Sequence, residues 1–254
     1  MMSHLILLTA LTGCVVNVTT DSDSVEFDEP VVGIVTDLGA GDVTITGANT
    51  VGAMVYRDLE WSGSRPDIDA WVEDGILYLT ADCTRKVVCQ AHHDVVVSEA
   101  IWSDIMTGAG NVSLRGLDEG ARAETGSGDI SMMQVYGDIT AETGSGAVTI
   151  EDSIGDLDLS TGSGDVTVRE AMTERLALST GSGQVDVDIR EGLSDADVST
   201  GSGDVTLMVP SGSYSMSIST GSGDVDLANV TETNQSDRRI EISTGSGDVE
   251  VMGQ

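Results

Sequence analysis

Apolar and polar residues alternate in short runs through residues 106–254, and each run breaks at a pair of glycines. Around Ser160, Leu157, Leu159 and Thr161 alternate with Asp158 and Ser160; past Gly162 and Gly164, Val166 and Val168 flank Thr167. Period-two alternation over four to six residues predicts half-buried β-strands. Glycines between two such strands predict a sharp corner, because they reach backbone angles that side chains forbid. One inbound strand, a corner and one outbound strand make one coil. No stretch carries a helical period long enough to stand alone.

The corner phrase recurs as ETGSGDI, ETGSGAV, STGSGDV and STGSGQV, then as STGSGDV three more times. Its glycine pairs are Gly126 with Gly128, Gly144 with Gly146, Gly162 with Gly164, Gly181 with Gly183, Gly201 with Gly203, Gly221 with Gly223 and Gly245 with Gly247. The steps between pairs are 18, 18, 19, 20, 20 and 24 residues. Weaker copies end at Val43 and Val112. A step near twenty predicts a stacked repeat in which each unit is too small to bury its own apolar face. The position after the corner holds Val43, Val112, Ile130, Val148, Val166, Val185, Val205, Val225 and Val249; two residues on stand Ile45, Leu114, Met132, Ile150, Val168, Val187, Leu207, Leu227 and Val251. These predict two aliphatic columns inside an all-β parallel solenoid, roughly 50 Å long at ~4.8 Å per coil. Leu38 in the threonine slot predicts that this slot also points inward, and Ala40 and Ala109 in the serine slot show that small volume matters there. Residues 31–105 follow the pattern less regularly, with Gly75 marking a hairpin or corner turn. Trp61, Trp71 and Trp102 all fall there, either as an end cap or wide-section filler, or as a platform on which sugars stack.

Composition narrows the function. With 43 acidic and 11 basic residues the chain carries a formal charge of −32, and Lys86 is its one lysine. Such a surface repels nucleic acid and anionic lipid. Catalysis would need carboxylates gathered with His, Lys or Arg, but the arginines are scattered and no histidine follows His93. The corner aspartates offer a second chemistry: Asp204 and Asp224 are read on adjacent coils with Asp248 one further on, a ladder that could attract calcium. The slot also accepts Ala147 and Gln184, so a cation is not required at every coil, and no other cofactor is implied. The last strand, Asp248–Met252, is read as an open edge whose acids deter pairing or which accepts a second chain.

The N-terminus carries an apolar run, Leu5–Leu11, too short to span a membrane and suited to an export signal over residues 1–13. Leu11-Thr12-Gly13-Cys14 resembles a bacterial lipobox, which implies lipidation of Cys14 as the membrane attachment; Val15 after it implies outer-membrane sorting. Residues 14–30 read as the lipidated cysteine and an acidic tether, leaving 31–254 as the folded body. Cys83 and Cys89 then remain as an even pair, which an exported protein oxidises to a disulfide. A zinc site with His92 and His93 is the alternative, though four ligands in ten residues suit tetrahedral geometry poorly.

The TGSGDV repeat at this spacing, together with DGILYL at Asp74–Leu79 and the run from Val95–Ser98 into Thr107–Gly110, resembles the bacterial DUF4097 adhesin group and the related GIN-type adhesin heads. The resemblance covers about residues 31–254. It implies a right-handed β-helix displayed on the cell envelope, non-catalytic, with a glycan or protein ligand of unknown identity. The alternative function is a calcium-responsive structural or sensing lipoprotein.

Overall fold

The computed structural model describes residues 4–9, 15–83 and 88–254; Cys14 and the rest of the lipobox lie outside the described residues. Every regular element among those residues is a strand. The strands form a 13-stranded outbound sheet and a 12-stranded inbound sheet. At ~4.8 Å per strand, thirteen strands extend about 58 Å.

In space the outbound sheet runs His4–Thr9, Val15–Phe27, Ala53–Ser62, Cys89–Ser98, Val43–Ala48, Val112–Leu117, Ile130–Val135, Val148–Glu151, Val166–Met172, Val185–Glu191, Val205–Val209, Val249–Gly253 and Val225–Ala228. The inbound sheet runs Asp67–Glu73, Ile76–Asp82, Gly33–Leu38, Trp102–Thr107, Ala121–Thr125, Ile139–Thr143, Leu157–Thr161, Arg175–Thr180, Asp195–Thr200, Arg239–Thr244, Gly212–Thr220 and Val230–Glu232. From Val43–Ala48 onward, outbound neighbours are parallel and in register, Val148 against Val166 and Val166 against Val185. The columns follow from this register. Val166, Val185 and Val205 are buried, as are Val168, Val187 and Leu207. Leu157 and Leu159, Leu176 and Leu178, and Ala196 and Val198 face them from the inbound sheet.

Both ends depart from simple succession. At the N-terminal end, Val43–Ala48 pairs directly with Val112–Leu117, so the first corner stacks on one far along the chain. The intervening residues run outward and build a cap of antiparallel strands. Residues 15–30, expected as a tether, are strand over Val15–Phe27, paired antiparallel with Ala53–Ser62. Acidity does not keep this segment in solvent, because Asp23 is neutralised locally by Arg57, at 2.7 Å. The described part of the export segment, His4–Thr9, pairs in turn with Val15–Thr20.

At the other end the last coil is not outermost. Val249–Gly253 lies between Val205–Val209 and Val225–Ala228, and Arg239–Thr244 lies between Asp195–Thr200 and Gly212–Thr220. The chain leaves a gap, builds the terminal coil, and returns to fill the gap. The strand expected to be an open edge is therefore paired on both sides, and Val225–Ala228 is the edge. Val225 and Leu227, expected inside, are 45% and 38% exposed because no coil covers them. Tyr214, fully buried, anchors the detour: its hydroxyl donates to the Pro210 carbonyl at 2.7 Å and Arg238 lies over its ring at 3.9 Å.

Candidate functional site

At the corners, the side chains are engaged in stacking. Thr161 donates through Oγ1 to the Gly146 carbonyl at 2.9 Å, and Thr143 does the same to Gly128. These threonines are buried, as Leu38 in the same slot suggested. The aspartate slot accepts from the backbone of the neighbouring coil: Ala147 N–H donates to Asp129 Oδ1 at 2.8 Å and Gln184 N–H to Asp165 Oδ1 at 2.8 Å. Asn111 fills the same role for Asp129 N–H at 2.9 Å. The glycines permit close approach. A Cβ on Gly164 would lie 1.9 Å from the Gly146 carbonyl oxygen, and one on Gly183 would lie 1.9 Å from that of Gly164. The first glycine of each pair is nearly as confined: a Cβ on Gly162 would lie 2.5 Å from the Gly144 oxygen, and one on Gly181 2.5 Å from that of Gly162. Gly183 keeps this contact although Gln184 replaces aspartate beside it, and its N–H donates to the Ser202 carbonyl of the next coil at 3.0 Å. The bend at Gly183 thus needs the small residue and not the acid that follows elsewhere.

The three aspartates read as a cation ladder stack in the order Asp204, Asp248, Asp224, not Asp204, Asp224, Asp248. Asp204 Oδ1 accepts from Asp248 N–H and Asp248 Oδ1 from Asp224 N–H, each at 2.9 Å. One oxygen of each acceptor is thus committed to the neighbouring coil. No group of three or more His, Cys, Asp or Glu among the described residues is arranged to hold a metal ion.

The N-terminal cap gathers the other singled-out residues. Cys83 and Cys89 form a disulfide with a Cα–Cα distance of 5.5 Å, so their thiolates are not available to zinc. His92 accepts from Asp42 N–H at 3.1 Å. With Asp21, Asp58 and Glu60 it borders a shallow, open depression of about 340 Å³. His93 faces the other way, 2% exposed, its Nδ1 2.9 Å from the Ala91 carbonyl and its Nε2 without a hydrogen-bond partner. Burial lowers its pKa to about 4, assisted by the charge of Arg57. Arg57 is held by both carboxylate oxygens of Asp23, at 2.7 and 2.8 Å. The two histidines and the arginine therefore do not converge on one cleft. By register, the column of Val112 and Val43 continues as His93, Arg57 and Asp23, so a polar row terminates it.

The tryptophans separate. Trp61 belongs to the core. Trp71 and Trp102 point outward from the inbound sheet, 39% and 37% exposed. Trp71 stacks on its cross-strand partner Tyr78, centroids 5.1 Å apart and planes within 14°. Tyr78 pairs with Val35, which pairs with Asp104. Trp102 lies over Gly33: a Cβ there would sit 2.4 Å from the indole. These residues stand out in the sequence, but the side they face does not, because alternation is blurred in this section.

The sequence model of the Toastrack DUF4097 family matches residues 94–252. Among curated proteins none matches. Several solved structures share the fold at low identity. A "putative adhesin" from Parabacteroides distasonis is 10% identical, with TM-score 0.56 over 91% of this chain and 96% of its own. Another from Parabacteroides merdae is 11% identical, with TM-score 0.55 over 90% and 95%. A "putative lipid binding protein" from P. distasonis is 14% identical, with TM-score 0.52 over 91% and 96%. At these identities the likeness shows the fold alone, while the family match spans more than half of the chain. The chain belongs to the Toastrack DUF4097 family.

Proposed function

We propose that the protein is a non-catalytic adhesion module, carried on the bacterial envelope by a lipid on Cys14. The observation that supports this most directly is how the repeat uses its polar groups. Corner threonines, aspartates and backbone amides bond from coil to coil. What a rod of this kind offers the outside is its long sheet faces, which suit display and contact rather than chemistry. The names of the structural neighbours, two adhesins and a lipid-binding protein, are consistent with a binding role. The pairing of Val15–Phe27 adds a geometric consequence. A lipid on Cys14 would attach directly to a cap strand and hold the N-terminal end of the rod at the bilayer.

Two measurements test the reading. Palmitate is expected to label the wild-type protein and not Cys14→Ser; persistent labelling removes the anchor. Beads coated with the Cys14→Ser protein are expected to bind bacterial or host cell surfaces saturably. Binding no greater than to beads coated with an unrelated acidic protein would remove the adhesion role.

A further inference from the structure

The outward face of the N-terminal inbound strands carries an aromatic group with no role in the stacking just described. The chain has three Trp, four Tyr and one Phe. Three of these eight, Trp71, Tyr78 and Trp102, stand on one side of the four neighbouring strands Asp67–Glu73, Ile76–Asp82, Gly33–Leu38 and Trp102–Thr107. Packing Trp102 onto Gly33 shields a bare stretch of backbone, which explains one side of its ring. It does not explain the exposed side, nor why Trp71 and Tyr78 stack beside it with Val35 between. Among the described residues Trp71 is on the edge strand of this sheet, so one indole side meets Tyr78 and the other meets no further described strand. Three strand spacings and a two-residue offset along the strands separate Trp71 from Trp102, about 16 Å. That distance exceeds one sugar ring.

The charged groups that these four strands set beside the aromatics are carboxylates, with the Thr80 hydroxyl between two of them and Arg122 facing Asp104 from the next strand. Asp37, Asp69 and Asp104 project from the same side of these strands by register. Asp104 is half-exposed and its Oδ1 is paired with Arg122 Nε of the next strand at 3.8 Å, an ion pair beyond hydrogen-bond distance. An apolar patch rimmed by polar residues marks an interaction surface, and carboxylates that only accept are suited to a ligand rich in donors.

We infer that this face binds a neutral oligosaccharide, its rings laid on Trp71 and Trp102 and its hydroxyls donating to Asp37, Asp69 and Asp104. The inference rests on the adhesion reading and specifies its ligand. Charge selects the occupant. Acids around the patch and a net charge of −32 disfavour an acidic glycan, an anionic bilayer and a second copy of the chain, and leave an uncharged polyol unopposed.

The test uses the Cys14→Ser protein titrated with cellohexaose, chitohexaose, maltohexaose and mannohexaose, followed by tryptophan emission and calorimetry. At least one sugar is expected to bind saturably and to bind tenfold or more weakly to Trp71→Ala and to Trp102→Ala. Tyr56→Ala, an exposed aromatic on the other sheet, is expected to bind as wild type. Trp71→Ala, at the sheet edge, keeps the test readable if Trp102→Ala loses stability. The inference is overturned if no sugar binds saturably, or if Tyr56→Ala loses as much as Trp71→Ala. It is also overturned if the tryptophans prove to hold a dimer, or to bind vesicles of phosphatidylethanolamine and phosphatidylglycerol. Coated beads that still adhere to cells in Trp71→Ala/Trp102→Ala would overturn the sugar site and leave the adhesion role standing.

Discussion

Individual side chains hold the repeat together through small groups in tight places. A methyl on Gly164 meets the Gly146 carbonyl at 1.9 Å, and both partners are backbone, so neither coil can yield cheaply. Gly164→Ala is expected to cost about 3 kcal/mol in urea unfolding. Gly63→Ala tests backbone angle without crowding, since Gly63 has φ of 81° and nothing within 4 Å; it should cost only about 1 kcal/mol. The aspartate slot makes a separate prediction. Asp165→Asn keeps the acceptor for Gln184 N–H, as Asn111 does for Asp129, and should leave stability nearly unchanged, whereas Asp165→Ala should lose about 1 kcal/mol. Were the negative charge itself the requirement, as for a cation ladder, Asn would be as damaging as Ala. Burial makes His93 harder to protonate than an ordinary histidine. Its folded pKa of about 4 lies below the ordinary 6.5, so between these values the unfolded chain binds a proton that the folded chain refuses. Its contribution is full above pH 6.5, falls by about 3 kcal/mol as the pH drops to 4, and is flat below. His93→Leu should remove that part of the acid destabilisation, seen as a shallower loss of stability between pH 6.5 and 4.

Among the strands, periodicity identifies a rung but not its place on the ladder. The two aliphatic columns were legible from Val166, Val185 and Val205 because each rung repeats the same side-chain register. The interleaved C-terminus was not, because the step from Gly203 to Gly223 is the same 20 residues as the one before it, from Gly183. Only the 24-residue step to Gly247 hints at a detour. A chain ending at residue 238 would lack the rung on which Gly212–Thr220 rests. Limited proteolysis of it is expected to trim residues 212–238 while sparing the coils up to Val205–Val209; resistance of that segment would mean that the terminal coil stacks without its neighbour. A recurrent left-handed kink in the outbound strands was also hidden. Gln134, Asp152 and Glu170 take φ of 50–56°, and Gly116 takes 67°, at an 18-residue spacing. A left-handed backbone usually announces itself through Gly, Asn or Asp, and Gln134 and Glu170 are none of these. Their geometry is imposed by the stacked coils on each side.

Along the full rod, charge sets the working range. Forty-three acids against 11 bases repel one another, and salt screens this. The melting temperature is expected to rise between 10 mM and 500 mM sodium chloride. At matched ionic strength calcium should raise it no more than magnesium, since the corner carboxylates already accept backbone hydrogens; a calcium-specific rise would revive the cation ladder at Asp204, Asp248 and Asp224. The cap shows where charge reading alone falls short. An acidic segment looks like a solvated tether until its partners are known, and Asp23 finds Arg57 in a strand 34 residues away. The face proposed to bind sugar was legible only as three tryptophans in an irregular section, for want of the pairing that puts Trp71 beside Tyr78 and Trp102 over Gly33.

Local and strictly repeated constraints are enough to dictate the coil, and all of them are written in the chain. Alternation chooses which side chains go inside, the glycine pairs choose where the chain bends, and near-identical spacing makes the copies stack in register. The order of the end coils, the antiparallel cap made from the acidic N-terminal segment, and the side to which the aromatics turn emerge only on folding. Those depend on which equivalent edge a strand joins, and edges of a repeat are interchangeable until distant contacts such as Arg57 with Asp23 and Arg238 with Tyr214 distinguish them.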